Sequence, residues 1–234
     1  MVIKEKTLKY LNKNSTLNID MIEAINRNTA LIKYADIDGV ILIENNSQAV
    51  MISVDRVDIL EKALDGVSDV RIAVCHQSFL SEFVAAKLNM VKSFVCYQAA
   101  YFKNVCLPLV GMIEIRPLKE TDITFVLKYY KVLDEEDLIE IVGRNDLYGG
   151  YIKKDIVGFV GRHQEGSLGL LHVLEEYRGN GYAKELISFM VNKELNNGNI
   201  PFCQIKMGNE ASMKLLRKLG FMISSETICW MFSD

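Results

Sequence analysis

Between residues 156 and 232 the apolar positions change period in a regular order. Ile156 to Arg162 alternates as a strand, Gln164-Glu-Gly166 is a turn, and Ser167 to Leu174 alternates again, which together predict a hairpin. A segment with two glycines, Arg178 to Ala183, then leads into apolar residues at Ala183, Leu186, Ile187, Met190, Val191 and Leu195. That is the stripe of an amphipathic helix, and Asn197-Gly198 ends it. Pro201 to Met207 returns to period two. Asn209 is an N-cap for a second helix whose inner stripe is Ala211, Ser212, Leu215, Leu216 and Leu219, closed by Gly220. Phe221 to Ile223 and Thr227 to Phe232 read as two further strands.

Upstream, Ile113 to Pro117 predicts a strand, Thr121 to Tyr130 and Asp134 to Val142 two helices, and Tyr148 to Lys153 another strand. Before Gly111 the order is similar. Leu31 to Tyr34, Val40 to Glu44 and Ala49 to Val54 read as strands, Val57 to Leu64 as a helix, Val70 to Cys75 as a strand, and Ser78 to Leu88 as a helix. The two stretches also end alike. Lys87-Leu-Asn-Met-Val followed by Phe94-Val-Cys-Tyr parallels Lys218-Leu-Gly-Phe-Met followed by Thr227-Ile-Cys-Trp. Either a degenerate tandem repeat or convergent helix–strand patterning accounts for this. The expected division is 1–108 and 109–234, with the boundary near Phe102 to Leu109.

Composition narrows the choice of partner. A chain of 234 residues with 50% hydrophobic and 24% charged residues and only three prolines is expected to fold throughout. A net charge of -3 with both signs interspersed gives no basic face for a phosphate backbone, so nucleic acid is not expected. No apolar run approaches the ~18 residues that span a bilayer, and the N-terminus has no apolar signal core, so no membrane is expected and the cytoplasm is the default. Five scattered cysteines and three dispersed histidines lack paired or zinc-ligand spacing, so no disulfide framework and no metal are expected.

The candidate chemistry lies in Arg178-Gly-Asn-Gly-Tyr-Ala183. At a strand–helix junction, unpaired N–H groups and the helix dipole favour an anion, and Gly179 and Gly181 let the backbone come close to it. The spacing fits neither standard nucleotide fingerprint. Lys184 stands where the dinucleotide motif has its third glycine, and the P-loop needs four residues before Gly-Lys. A nucleotide site of another type stays open on the glycines alone.

Leu171-His-Val-Leu-Glu-Glu-Tyr-Arg-Gly-Asn-Gly-Tyr-Ala183 resembles motif A of the GNAT acyltransferases, with Arg178, Gly181 and Ala183 at its fixed positions. Asn209 to Phe221 is similar to motif B. The wording is most similar to the glycine N-acyltransferase branch, whose members carry an N-terminal half of related fold. The resemblance implies an α/β fold of the α+β kind, with a mixed, mostly antiparallel central sheet flanked by helices and two tandem GNAT-like halves, the first degenerate. It implies acetyl-CoA as co-substrate and direct attack on its thioester, in a ternary complex, by a primary amine of a small molecule such as an amino acid or polyamine. It places Leu171, His172 and Val173 along the pantetheine and thioester, Arg178, Gly179, Asn180, Gly181, Tyr182 and Ala183 at the pyrophosphate, and Asn209 and Ser212 in the remainder of the coenzyme site. Monomer and homodimer are both open.

Two departures bear on catalysis. Leu216 stands where motif B commonly has the tyrosine that protonates the thiolate, which motivates the alternative of a coenzyme-binding sensor without turnover. Ser167 stands where several members place a glutamate base. Glu165, two residues earlier on the same strand face, and His172, with an ordinary pKa near neutrality, are the other candidates for proton transfer. The first half has Asp55-Arg56 in place of a glycine-rich loop, so coenzyme binding is not expected there.

Overall fold

The computed structural model describes residues 2–65 and 67–233. In chain order the first half contains α1 (Val2–Leu11), α2 (Ile19–Asn26), β1 (Ala30–Asp36), β2 (Gly39–Glu44), β3 (Val50–Val54), α3 (Val57–Ala63), β4 (Ile72–Cys75), α4 (Ser81–Leu88) and β5 (Val91–Ala100). The second half contains β6 (Glu114–Pro117), α5 (Ile123–Tyr129), α6 (Glu135–Gly143), β7 (Leu147–Ile152), β8 (Asp155–Arg162), β9 (Leu168–Val173), α7 (Tyr182–Asn196), β10 (Phe202–Lys206), α8 (Glu210–Leu219) and β11 (Met222–Phe232). The expected order of strands and helices is present. Two helices precede it that the apolar pattern did not indicate, and Phe221 to Phe232, read as two strands, is one strand interrupted by a bulge.

The chain divides into two compact units that are not consecutive in sequence. One runs to Ala100 and resumes from Gln204, and the other is Tyr101–Cys203. In the first, β1, β2 and β3 are antiparallel neighbours and β4 is parallel to β3. β11 lies between β4 and β5, antiparallel to both. Period-two alternation sends successive residues to opposite faces. Leu42, Met51, Val74, Ile228 and Trp230 pack under α1 and α2 with Leu11, Leu17, Met21 and Ile25. Ile41, Ile52, Cys75, Cys229 and Met231 pack with Leu60 of α3 and Val84 of α4. At roughly 1.5–3 kcal/mol for each fully buried aliphatic side chain, these two layers are the main stabilising term of the unit.

The second unit has β6, β7, β8 and β9 in antiparallel order, and β10 starts in parallel to β9 with Cys203 opposite Leu168. Helices α5 and α6 cover one face through Ile123, Val126, Leu138 and Ile141, which meet Leu147, Phe159 and Leu170. α7 packs on β8 and β9 with Leu186, Ile187, Met190 and Val191 almost wholly buried. Gly150 on β7 makes room for it, since a Cβ there would lie 3.1 Å from Leu186 Cδ2. The resulting fold is a mixed α/β one, with a mostly antiparallel sheet flanked by helices. No helix among the described residues is long and apolar enough to cross a membrane.

Because β11 separates β4 from β5, residues 1–108 alone leave the ten-residue β5 and one edge of β4 without partner strands. Such a fragment is expected to aggregate or to lack a cooperative melt. Size-exclusion chromatography with far-UV circular dichroism checks this, and a monodisperse, cooperatively melting 1–108 fragment would contradict the packing described.

Candidate active site

β9 departs from regular pairing with β8. Phe159 faces His172 and Gly161 faces Gly169, so Val160 alone is opposite Leu170 and Leu171. Two residues against one is a β-bulge, and Leu170 takes a left-handed φ of 48° to make it. A leucine in that conformation costs roughly 1–3 kcal/mol. It is tolerated because the side chain is 1% exposed, packed among Leu118, Val126 and Phe159.

Beyond β9 a single turn, Glu175–Tyr177, leads to the glycine loop. Gly179 and Gly181 have φ of 83° and 86°, the left-handed region that glycine enters without a steric penalty. Gly181 is the N-cap of α7 and offers no side-chain cap. The first helical bond is Glu185 N–H to the Gly181 carbonyl, at 3.1 Å. Among the described residues, the N–H groups from Gly179 to Lys184 meet no protein acceptor. Six consecutive donors at the positive end of a helix of 15 residues are therefore without protein partners.

The loop is braced from both sides. Arg178 donates its Nε–H to the Val173 carbonyl at 3.1 Å, tying the loop to the end of β9. The Asn180 amide donates to the carbonyls of Tyr177 and Arg178. On α7, the 4%-exposed Glu185 carboxylate accepts the N–H groups of Val110 and Gly111 at 3.1 and 2.6 Å. Asn192 exchanges two hydrogen bonds with the backbone of Leu107. The connecting segment is thereby strapped along α7, and the Met112 methyl lies 3.2 Å from where a Cβ on Gly181 would be.

Of the residues expected at the site, Leu171 lies in the bulge of β9 and His172 and Val173 just past it, and Arg178 to Ala183 form the loop and first turn in the same unit. Asn209 and Ser212 belong to the other unit, where the Asn209 side chain accepts the Ser212 N–H at 3.1 Å and caps α8. Leu216 is 4% exposed. Ser167 donates its hydroxyl to the Glu165 carboxylate in a short hydrogen bond, and both are buried in the turn before β9. His172 is further on, roughly 15 Å along the strand from Ser167 at the usual rise per residue. These candidates for proton transfer are thus two separate groups.

His172 has an aromatic setting that its sequence neighbours do not reveal. Its ring stacks on Tyr129 at 4.9 Å and on Phe159 at 5.5 Å. Burial, with a contribution from Arg178, lowers its pKa below the ordinary 6.5. At the other end of β9, Tyr130, the residue that follows α5, places its hydroxyl 3.2 Å from Nε2 of His163. Consecutive tyrosines on one helix terminus therefore each hold one histidine of the β8–β9 pair. At the matching junction of the first half, Arg56 caps α3 and pairs with Asp58, while Asp55 accepts the Tyr10 hydroxyl. Among the described residues, no group of three or more His, Cys, Asp or Glu side chains could hold a metal ion.

Residues 147–231 match the family model described as FR47-like protein. This stretch runs from β7 to β11 and contains both the bulge and the glycine loop. The protein is similar in structure to a Drosophila protein with TM-score 0.65 at 16% identity, over 84% of this chain and 74% of that one. It is similar to a GCN5-related N-acetyltransferase-like protein from Streptococcus suis with TM-score 0.55 at 14% identity, over 98% and 99% of the two chains. A GCN5-related N-acetyltransferase from Kribbella flavida gives 0.56 at 9% identity, over 94% and 96%. The fold is that of the GNAT acetyltransferases. No curated protein matches the sequence.

The lowered pKa of His172 gives a stability prediction. As pH falls through 6.5 the unfolded chain protonates this residue while the folded one still holds it neutral, so folding stability decreases on acidification. Imidazole NMR is expected to place the His172 midpoint below 6.5, and His172→Gln to flatten the acid side of the stability profile. A midpoint at or above 6.5 would contradict the stacked, partly buried setting.

Proposed function

We propose that this protein transfers an acetyl or other short acyl group from acetyl-CoA to a primary amine of a small molecule such as an amino acid or polyamine. The observation that carries this reading is the run of unclaimed N–H donors from Gly179 to Lys184, following a bulged strand. A pyrophosphate supplies several acceptor oxygens and a negative charge, which this helix start lacks and its dipole favours. The FR47-like match over the same residues, and the N-acetyltransferase names of two proteins of like fold, support the choice of coenzyme A among phosphate ligands.

In this reading Arg178 to Ala183 hold the pyrophosphate, and backbone groups of Leu171, His172 and Val173 hold the pantetheine arm and thioester carbonyl. The bulge sets Leu170 and Leu171 together against Val160, so Leu171 leaves the regular β8–β9 register, while His172 and Val173 stay opposite Phe159 and Gly158. The resemblance of Asn209 to Phe221 to motif B assigns Asn209 and Ser212 to the coenzyme as well. Catalysis is mainly positioning and polarisation of the thioester, with His172 beside it and the Glu165–Ser167 pair at the start of the strand as candidates for proton transfer.

We also propose that residues 1–108 and 109–234 are tandem GNAT-like halves, the first degenerate, as in the glycine N-acyltransferase branch. The order β3-α3-β4-α4-β5 repeats as β9-α7-β10-α8-β11, and the second strand of each set is parallel to the first. In this reading β11 of the second half lies between β4 and β5 of the first, which makes the compact units discontinuous.

Isothermal titration with acetyl-CoA is expected to give a dissociation constant in the micromolar range. Gly181→Val places a β-branched residue at φ 86° and is expected to weaken binding at least about tenfold, or ~1.4 kcal/mol, with the fold retained by circular dichroism. Unchanged binding in that variant would show that the loop is not the phosphate site. Release of CoA with one amine from a panel of amino acids and polyamines is expected, and tight binding with no release from any would leave a coenzyme sensor.

A further inference from the structure

We propose that His163 and Tyr130 together form the group that takes the proton from the acceptor amine. This rests on the acyl-transfer reading above. His163 follows the last residue of β8, and its backbone is locked in a turn by its own N–H to the Ser167 carbonyl at 2.9 Å and by the Gly166 N–H to its carbonyl at 3.1 Å. The imidazole folds over Gly169, so closely that a Cβ on residue 169 would lie 2.5 Å from Nε2. A glycine is therefore what allows the ring to rest against β9 one residue before the bulge. Tyr130 fixes the same nitrogen from α5 at 3.2 Å, with the rings tilted by 44°.

The ring thus sits beside the backbone that the reading assigns to the thioester, and on the α5–α6 side of the strand. The other proton carriers there are differently placed. The Glu165 carboxylate is buried and already takes the Ser167 hydroxyl. The His172 ring lies against Tyr129 and Phe159, and burial with the nearby Arg178 charge disfavours its protonated form. The residue after His163, Gln164, donates to Asp137 and Glu140 of α6, which ties the turn carrying the imidazole to that helix.

The step balances without a further reactant. The acceptor ammonium gives one proton to the pair, arriving at Nε2 by way of the Tyr130 hydroxyl and forming an imidazolium. The freed lone pair attacks the thioester carbonyl carbon, a C–N bond forms, and the carbonyl electrons move to oxygen. Their return breaks the C–S bond. The second proton on nitrogen passes to the departing thiolate, giving the amide and the CoA thiol, and the imidazolium returns its proton to water.

The test compares two nucleophiles. The first is the fastest amine of an amino acid and polyamine panel, which is protonated at neutral pH. The second is hydroxylamine, which is largely unprotonated there and needs no base for its first proton. In His163→Gln, CoA release with the protonated amine is expected to fall about 10²-fold or more, with little change for hydroxylamine and an unaltered acetyl-CoA dissociation constant. Tyr130→Phe is expected to show the same selectivity with a smaller loss. Equal losses for both nucleophiles, or no loss for either, would overturn the role of the pair. Absence of acetyl-CoA binding to the wild-type protein, measured before any acceptor is added, would instead overturn the acyl-transfer reading on which it rests.

Discussion

A helix that starts on a left-handed glycine leaves its first-turn N–H groups without acceptors, and the second half of this protein is arranged so that this deficit stays exposed. Nothing at Gly181 can cap the helix, and α7 has no freedom to tuck its end against the sheet. Leu186, Ile187, Met190 and Val191 are fixed in the core beneath it. Glu185 and Asn192 are occupied with the connecting segment at Leu107, Val110 and Gly111. The strand that delivers the chain to this point is equally constrained. Its bulge is held by the burial of Leu170, and its last carbonyl, Val173, is taken by Arg178. An anionic ligand with several acceptor oxygens would satisfy these donors, and the acyl-transfer proposal rests on that match.

The acceptor side draws on a different part of the fold. α5 ends in two tyrosines that hold His163 and His172 on the same face of the β8–β9 pair, one before the bulge and one after it. A ligand stretched along β9 from the glycine loop towards the turn at Gly166 passes both. In that geometry His172 presents a ring stacked on Tyr129 and Phe159, and His163, the proposed base, lies against Gly169. The buried leucine at position 216 fits such a division, because proton handling is then assigned to β8 and β9 instead of α8.

Much of this was legible from residue order. The period changes from Ile156 to Gly220 located β8, β9, α7, β10 and α8 within a residue or two, and the two glycines located the helix start. α2 was missed because it is buried nearly all round. Asp20, Glu23 and the apolar residues between them are all inside, so no polar face marks a helical period, and Asp20 meets the Met21 N–H and the distant His76. The bulge at Leu170 was invisible because leucine carries no signal for a left-handed conformation. The bulge in β11 at Ser224 to Glu226 looked like a break between strands for the opposite reason, being polar and short. The compact units escaped a linear reading because β11 pairs with β4 and β5 from the far end of the chain. The histidine–tyrosine contacts, 33 and 43 residues apart in sequence, depend on how α5 crosses the sheet, which no local pattern encodes.

The central claim is that the backbone donors from Gly179 to Lys184 receive the coenzyme phosphates. An amide-resolved NMR titration of the full chain with coenzyme A tests it most directly. The account predicts saturable downfield shifts concentrated in those six N–H groups, with further changes along Leu171 to Val173. A titration in which coenzyme A binds while these amides keep their free positions would contradict it.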